Sequence, residues 1–257
     1  MNEIVKIVKV KQKGKTTKYE VTFLKDDEQD QVILLDDQIV NYRILKDKEY
    51  SLDEWDKIIK SSNMSIWFGK TINFLSFKNR TTKEVKDYLV KNEVASEHII
   101  EIINRLDKMH LLNDEEYAYA FLDEVVRKHK GLKYLKYQLT NKGVSSDIIN
   151  KVSLDYPVDL VIEELIPQVE KLQKKLITYP LNYQKQKLND KLLRDGFSSN
   201  IISQVFSRLN WTCDIKDRLK QEYNKLKKQT NDVTKITQKL LSKGYSYQDI
   251  KPYLSDK

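Results

Sequence analysis

Residues 191–197 read Lys-Leu-Leu-Arg-Asp-Gly-Phe, and this short phrase decides the fold because it recurs along the chain. Similar phrases occupy residues 88–94, 138–144 and 239–245. Counted from the leucine that the four phrases share, the intervals are 50, 53 and 48 residues. A period of this size indicates a repeat architecture, in which neighbouring units bury each other's apolar faces.

Each phrase has the composition of a helix end followed by a turn. A cationic last turn suits the helix dipole, and the glycine after it is a common helix stop. The first copy has Glu93 where the others have glycine. A polar cap and a second apolar helix then begin, with the cap expected at Ser96, Ser146, Ser199 and Tyr247. A third amphipathic stretch completes each unit, so the period predicts three helices per repeat.

The sequence therefore predicts a mainly α protein of tandem three-helix repeats, preceded by a small β-rich segment. We place the β-rich segment at residues 1–50 and a linking helical region at residues 51–70. The four repeats are expected at residues 71–112, 113–157, 158–212 and 213–257.

Alternating apolar and polar residues identify the front segment as a sheet. The expected strands are residues 4–10, 18–23 and 32–35, separated by turns at 13–15 and 26–30. The segment is too short to be a substantial domain by itself. We expect its apolar face to pack against residues 37–44 and against the helix that carries Trp55 and Ile58.

Two capping boxes mark helix starts, one formed by Ser51 with Glu54 and the other by Thr81 with Glu84. In such a box the two side chains satisfy each other's backbone N–H groups. The helix that begins at Ser51 is expected to end before a separate apolar helix over about residues 65–77.

Two residues predict local structure in the later repeats. Asn113 precedes three acidic residues and is expected to cap the first helix of the second repeat. Pro167 lies inside an otherwise helical stretch, where it predicts either a helix start or a kink because proline removes an interior hydrogen bond.

The composition is that of a helix-rich soluble protein. Six Gly and four Pro among 257 residues, with 33% charged residues, argue against a sandwich or barrel. The apolar runs are too short to span a membrane, and the first residues lack the apolar core of a signal peptide. The single cysteine, Cys213, cannot form an internal disulfide, so we expect a reduced, cytoplasmic protein.

The net charge of +8 is unevenly distributed. Residues 1–70 carry 13 Lys and Arg against 13 Asp and Glu, and residues 71–158 carry 14 against 13. Residues 159–257 carry 19 against 12, and the run 171–243 carries 17 against 6. This excess indicates a polyanionic or acidic partner, or it serves only to keep a helical array soluble.

The sequence predicts no catalytic, metal or cofactor site. His98, His110 and His129 are isolated from cysteines and carboxylates at metal-ligand spacing, and a glycine-rich phosphate loop is missing. Cys213, which follows Trp211 at a repeat junction, is interpreted as a packed small apolar residue rather than a nucleophile. We expect a protein that binds without catalysing a reaction.

Two groups of basic residues are candidates for binding a polyanion. Lys133 and Lys136 alternate with Tyr134 and Tyr137, a pattern that suits stacking on single-stranded bases or an ordinary half-buried helix face. The second group is expected on two adjacent helices of the third repeat. Its members are Lys174, Lys175, Lys185, Lys187, Lys191 and Arg194.

Taken together, these motifs resemble the RecX family of regulators of the RecA recombinase. The resemblance is carried by residues 79–85, Tyr88, Leu89, residues 111–118, Lys130, Gly131, Leu135, Leu139 and residues 142–144. It covers about residues 71–254. The β-rich front and the fourth repeat resemble the longer members of low-GC Gram-positive bacteria.

The resemblance implies an elongated, curved array that lies in the groove of a RecA–DNA filament and restrains filament growth, ATP hydrolysis and strand exchange. Its first motif adds Arg80 and Lys83 to the candidate filament or DNA contacts. We expect a monomer whose partner is the RecA filament, with direct contact to the DNA phosphate backbone left open. The alternatives are a stand-alone helical DNA-binding protein that uses its basic C-terminal repeats, and a structural adaptor.

Overall fold

The computed structural model describes residues 4–254, which begin with a small sheet and continue as helices. Residues 1–3 of the predicted β-rich segment and 255–257 of the predicted fourth repeat lie outside this range. The chain divides into two units, Met1–Tyr117 and Ala118–Lys257. The prediction of a mainly α protein with a small β-rich front is confirmed.

Four antiparallel strands form one sheet in the order β3-β2-β1-β4 within the described residues. They are β1 (Ile4–Gln12), β2 (Lys18–Lys25), β3 (Glu28–Leu35) and β4 (Glu49–Ser51). The three predicted strands are present. The fourth was missed because three residues are too few to show a periodicity.

The predicted turn at residues 26–30 is too long. Only Asp26 and Asp27 form it, with φ of 50° and 64°, and Glu28 already begins β3. A two-residue hairpin turn requires positive φ at both central positions, which Asp tolerates. The polar run therefore continues into a strand whose first residues are exposed.

The sheet buries its apolar face against the following helix, as expected. Val5, Ile7, Val21 and Leu34 are fully buried in a cluster that also contains Trp55 and Ile58. Two short elements complete this part: α1 (Asp36–Asn41) and the capped start of α2 (Leu52–Ser76).

The prediction of two separate helices between residues 51 and 77 is wrong, because α2 is one continuous helix of 25 residues. Ser62, in the middle of this helix, is fully buried, and its hydroxyl donates to the carbonyl of Ile33 at 3.3 Å. One helix thus carries Trp55 in the sheet core and Trp67 in the first helical core.

The remaining described helices form sets of three, with the second half of α2 acting as the first member of the first set. They are α3 (Thr82–Lys91), α4 (Ser96–Lys108), α5 (Asp114–Arg127), α6 (Leu132–Asn141), α7 (Ser146–Leu154), α8 (Val158–Lys174), α9 (Leu181–Arg194), α10 (Ser199–Arg208), α11 (Lys216–Lys227), α12 (Val233–Ser242) and α13 (Tyr247–Leu254).

The residues that end the middle helix of each set adopt the left-handed conformation that the phrases predicted. Gly143, Gly196 and Gly244 have φ of 76°, 91° and 91°. Glu93 takes the same conformation, with φ of 57°, in place of a glycine. The caps predicted at Ser96, Ser146 and Ser199 are one residue too late, because each of these residues is the first residue of its helix. The N-cap is the residue before; for example, Ser145 rather than Ser146 accepts the N–H of Ile148.

Pro167 lies within α8, which begins at Val158, so the alternative of a helix start at Pro167 is wrong. The two predicted capping boxes and the Asn113 cap are confirmed. Asp114 also accepts hydrogen bonds from the N–H and hydroxyl of Thr82, at 2.8 and 3.1 Å, so it ties the start of α3 to the start of α5.

Candidate functional site

The basic residues of the third helical set lie at the end of α8 and along α9, the two helices expected from the sequence. α9 buries Gln184, Leu188 and Leu192. At about 100° per residue, Lys185 lies on one flank of this buried stripe, whereas Lys187 and Arg194 lie on the other. The candidate surface is therefore split between two flanks of α9.

The first flank faces the segment that joins α10 to α11. Lys174 lines a cleft of about 300 Å³ together with Asn210 and Thr212. The ammonium group of Lys185 lies 5.1 Å from the ring centroid of Trp211. These two lysines therefore border the same three-residue segment, and both are exposed.

Two buried glutamines fix that segment beside the lysines. Gln173 donates to the carbonyl of Asn210 at 3.1 Å, and Gln184 donates to the carbonyls of Thr212 and Tyr179 at 3.2 and 2.8 Å. A buried amide needs such partners because it has lost its hydration. The backbone of the segment is thus held in place.

The second flank of α9 is partly neutralised. Lys191 lies 2.8 Å from a carboxylate oxygen of Asp195, and Lys130 lies 2.5 Å from the other oxygen. Burial raises the pKa of Asp195, but the hydrogen bonds and positive charges of both lysines together lower it by more, so the pKa lies below its usual value. Lys191 therefore makes an ion pair at the end of its own helix, and its role as a polyanion contact stays a prediction.

Lys187 and Arg194 remain exposed on this flank. The ammonium group of Lys187 lies 5.5 Å from the ring centroid of Tyr183, and Arg194 donates to the carbonyl of Asp190 at 3.2 Å. Lys175, just after α8, is also exposed. Long basic side chains held by their stems can still turn their charged ends to a phosphate.

The candidates of the second helical set lie on the outer side of α6. Lys133 and Lys136 are exposed, and Tyr137 beside them is 64% exposed. Tyr134 is half-buried, with Lys130 at 5.8 Å from its ring centroid. One ring packs and the other is accessible, so Tyr137 alone of this pair keeps a face open for stacking.

Arg80 and Lys83 lie at the start of the first helical set. The guanidinium of Arg80 lies 3.5 Å from the ring centroid of Phe74, donates to the Phe74 carbonyl at 3.2 Å, and is half-buried. Phe74 in turn stacks on Tyr88 at 4.0 Å. Arg80 therefore stabilises a local stack, whereas Lys83 is exposed on α3.

The structure brings together two groups that sequence reasoning did not pair. Lys130 was named only among the residues that carry the family resemblance, but its ammonium group donates to Asp195, 65 residues further along the chain. Arg218 lies 3.5 Å from the ring centroid of Tyr179, which stacks on Tyr183 at 4.7 Å. Lys130 and Tyr179 each precede the N-cap of a middle helix, so an alignment of the repeats would have identified them as equivalent positions.

Nowhere in residues 4–254 do three or more His, Cys, Asp or Glu side chains gather as metal ligands would. His129 lies 3.7 Å from Glu164, and His110 is exposed. Cys213 is exposed, so its interpretation as a packed apolar residue is wrong. Partial burial, Asp249 and Asp214 raise the pKa of this thiol, which disfavours the reactive thiolate.

Between residues 4 and 254, none of the helices combines the length and the apolar character needed to cross a membrane.

These features define a helical repeat protein with a basic surface in its third set of helices. Two family models match the chain: RecX, first three-helix domain, over residues 68–106, and RecX, second three-helix domain, over residues 113–152. The chain belongs to the RecX family.

Relatives and solved structures agree with this assignment. The chain is 30% identical to "Regulatory protein RecX" of Streptococcus gordonii, over 98% of this chain and 99% of that protein. It is 29% identical to the protein of the same name from Staphylococcus aureus strain JH9, over 98% of this chain and 95% of that protein. A crystal structure of RecX from Lactobacillus salivarius, 30% identical, covers 58% of this chain and 97% of its own with a TM-score of 0.55. A second crystal structure, of regulatory protein RecX, shows the same fold at 18% identity. It covers 79% of this chain and 100% of its own, with a TM-score of 0.64.

Proposed function

We propose that this chain is a regulatory protein that binds the RecA–DNA filament and restrains its growth, ATP hydrolysis and strand exchange. The observation that carries the proposal is the match to proteins named regulatory protein RecX over nearly the whole chain. The protein acts by binding alone, as a cytoplasmic monomer without a cofactor. We propose that its six segments are a β-rich front, a linking helical region and four helical repeats.

The polyanion contact is proposed for the exposed basic residues of the third repeat. Lys174, Lys175, Lys185, Lys187 and Arg194 extend into solvent, whereas Lys191 is paired with Asp195. Lys133, Lys136 and Lys83 are proposed as secondary contacts. Each phosphate that such a residue neutralises releases counterions, which makes binding favourable and dependent on salt.

The test is ATP hydrolysis by RecA on single-stranded DNA while this protein is titrated in. Inhibition at substoichiometric amounts is expected, because one bound molecule that blocks filament growth affects many RecA protomers. Unchanged hydrolysis at saturation would contradict the proposal. RecA with DNA but without this protein sets the uninhibited rate.

A second candidate is a stand-alone DNA-binding protein. It is favoured by the run 171–243, which carries 17 basic residues against 6 acidic ones. Binding to a labelled oligonucleotide without RecA, measured by fluorescence anisotropy, separates the two. Tight DNA binding together with no effect on RecA would favour this candidate, and absence of both would favour an adaptor for another protein.

A further inference from the structure

The first strand of the sheet is paired along only part of one edge. On that edge β4 covers Ile4–Lys6, and Ile7 exchanges hydrogen bonds with Lys48 and Asp47 at 2.9 and 2.8 Å. A bulge follows Ile7. Among the described residues no strand covers this edge beyond it, so residues 8–12 form an open strand edge.

The hairpin geometry shows which backbone groups point outward at this edge. Lys13 donates its N–H to the carbonyl of Lys18 at 2.8 Å, so Lys13 faces β2. Along an antiparallel strand the groups alternate between the two neighbours, which turns Lys11 to β2 and Gln12 and Val10 away from it. The N–H and carbonyl groups of Val10 and Gln12 are therefore free to pair with another strand.

An apolar cleft of about 620 Å³ lies next to the open edge. Its lining consists of Val8, Lys9, Val10, Ile39, Ile44, Leu45 and Lys46. Leu45 is 64% exposed, and nearby Val40 is 71% exposed. The edge therefore combines unpaired backbone groups with exposed apolar side chains. When an extended peptide adds to a sheet as a new strand, backbone hydrogen bonds give affinity and pockets accept alternate side chains.

The charge of this region selects the partner. β1 carries Lys6, Lys9 and Lys11 and no carboxylate, and Lys46 also lines the cleft. Lysines on an edge discourage pairing with most strands. An acidic strand is the exception, since opposite charges on neighbouring strands stabilise the pair.

We propose that the open edge of β1 binds an extended acidic segment of another protein, with apolar and acidic residues in alternation. The apolar side chains enter the cleft beside Val10 and Leu45. The acidic side chains lie towards Lys9, Lys11 and Lys46.

A second copy of this chain fits less well than a different protein. The acidic strand that it offers is β3, which begins with Glu28 and contains Asp30. β3 is partly covered, because the carbonyl of Ile33 accepts the hydroxyl of Ser62 from α2. Pairing of β3 with β1 would also be head-to-tail, which gives rings or open filaments rather than a two-fold dimer.

The test uses the whole protein and a short fluorescent peptide of alternating Val and Glu, with two isomers N-methylated on alternate residues. One isomer loses the N–H groups that face β1, and the other loses those that face solvent. We expect the unmodified peptide and one isomer to bind, and the other isomer to bind at least about tenfold more weakly, as loss of directed hydrogen bonds requires. Equal binding of the two isomers, or no binding of the unmodified peptide, would overturn the proposal.

Charge exchange provides the second arm. Lys9→Glu with Lys46→Glu should weaken the Val/Glu peptide by about tenfold or more and create binding for a Val/Lys peptide. The control pair, Lys25→Glu with Lys60→Glu, changes two exposed lysines outside the cleft and should leave both affinities unchanged. Reversible self-association in sedimentation experiments that Lys9→Glu abolishes would assign the edge to a second copy and reject the proposal.

Discussion

Gly131 and Gly196 lie backbone against backbone: a β-carbon on Gly131 would be 2.1 Å from the carbonyl carbon and oxygen of Gly196. The N–H of Gly131 donates to the carbonyl of Asp195 at 2.8 Å, and the N–H of Lys133 donates to the carbonyl of Gly196 at 3.1 Å. The start of α6 is thereby joined to the turn after α9. This joint connects two successive sets of helices.

The same relationship recurs more loosely one repeat later. A β-carbon on Gly196 would be 2.5 Å from the backbone nitrogen of Tyr134, and one on Gly244 would be 3.2 Å from that of Tyr183. Tyr134 and Tyr183 are each the third residue after the N-cap of a middle helix. Successive repeats therefore contact each other through equivalent positions, with the closer approach at Gly131, where Pro180 stands in the next repeat.

Gly131→Ala should destabilise the protein by about 1–3 kcal/mol, because the added methyl meets backbone rather than a movable side chain. Gly69→Ala is the matched control: it lies inside α2, and its new methyl would contact nothing within 4 Å among the described residues. That substitution should stabilise by about 0.5–1 kcal/mol. Chemical denaturation measures both, and equal effects would mean that the joint does not exist.

A second pair of substitutions tests the left-handed turn positions. Gly143→Val should cost at least about 1 kcal/mol, because a β-branched residue resists the φ of 76°. Glu93→Gly should instead stabilise the protein, by up to about 1 kcal/mol, because Glu93 is strained at its φ of 57° and glycine would not be. Unfolding midpoints that do not move in opposite directions would contradict this reading of the repeated phrase.

Much of the fold could be predicted from local sequence patterns, because the same pattern of helix end and turn occurs in each of the four repeats. The phrases around Gly143 and Gly196 predict the helix ends, the turn conformation and the three-helix unit. The errors arose where one local signal competed with a distant contact. Two helices were expected between residues 51 and 77, but the Ser62 hydroxyl bonds to the Ile33 carbonyl, so this polar residue is buried inside one continuous helix.

The candidate surface was less predictable than the fold. Charge counts identified the third repeat as basic, but they do not show which lysines are already paired. Lys191 has its partner four residues away at Asp195, which could be anticipated from helical spacing. Lys130 reaches the same carboxylate from 65 residues away, and only the tertiary structure reveals that contact.

Asp195→Asn should destabilise the protein by about 1–2 kcal/mol at neutral pH, because two charge-assisted hydrogen bonds are weakened. The pKa of Asp195 is lowered in the folded state, so its contribution is present above the unfolded pKa of about 3.9 and is lost as the pH falls through the folded value. The wild type should therefore lose more stability on acidification below about pH 4 than the variant. Unfolding curves with parallel pH dependence would contradict this role.

The last prediction concerns the exposed charge of the third repeat. Reversing Lys174, Lys175, Lys185 and Lys187 to glutamate should weaken binding to the RecA–DNA filament while changing the melting temperature little. All four are exposed, and exposed charges contribute little to folding. The affinity of the wild type should fall with the logarithm of salt concentration, at about −0.7 to −0.9 per phosphate contact, and the variant should show a shallower slope.

The matched control reverses Lys15, Lys25, Lys57 and Lys60, which are exposed in the front part of the chain, where basic and acidic residues balance. It makes the same change in net charge, so any general effect of charge on filament binding appears in both variants. A larger loss of affinity and salt dependence for the third-repeat variant assigns the phosphate contact to the flanks of α9 and the end of α8. Identical behaviour of the two variants would mean that the basic excess only solvates the helices, and that filament recognition depends on other surfaces of the repeats.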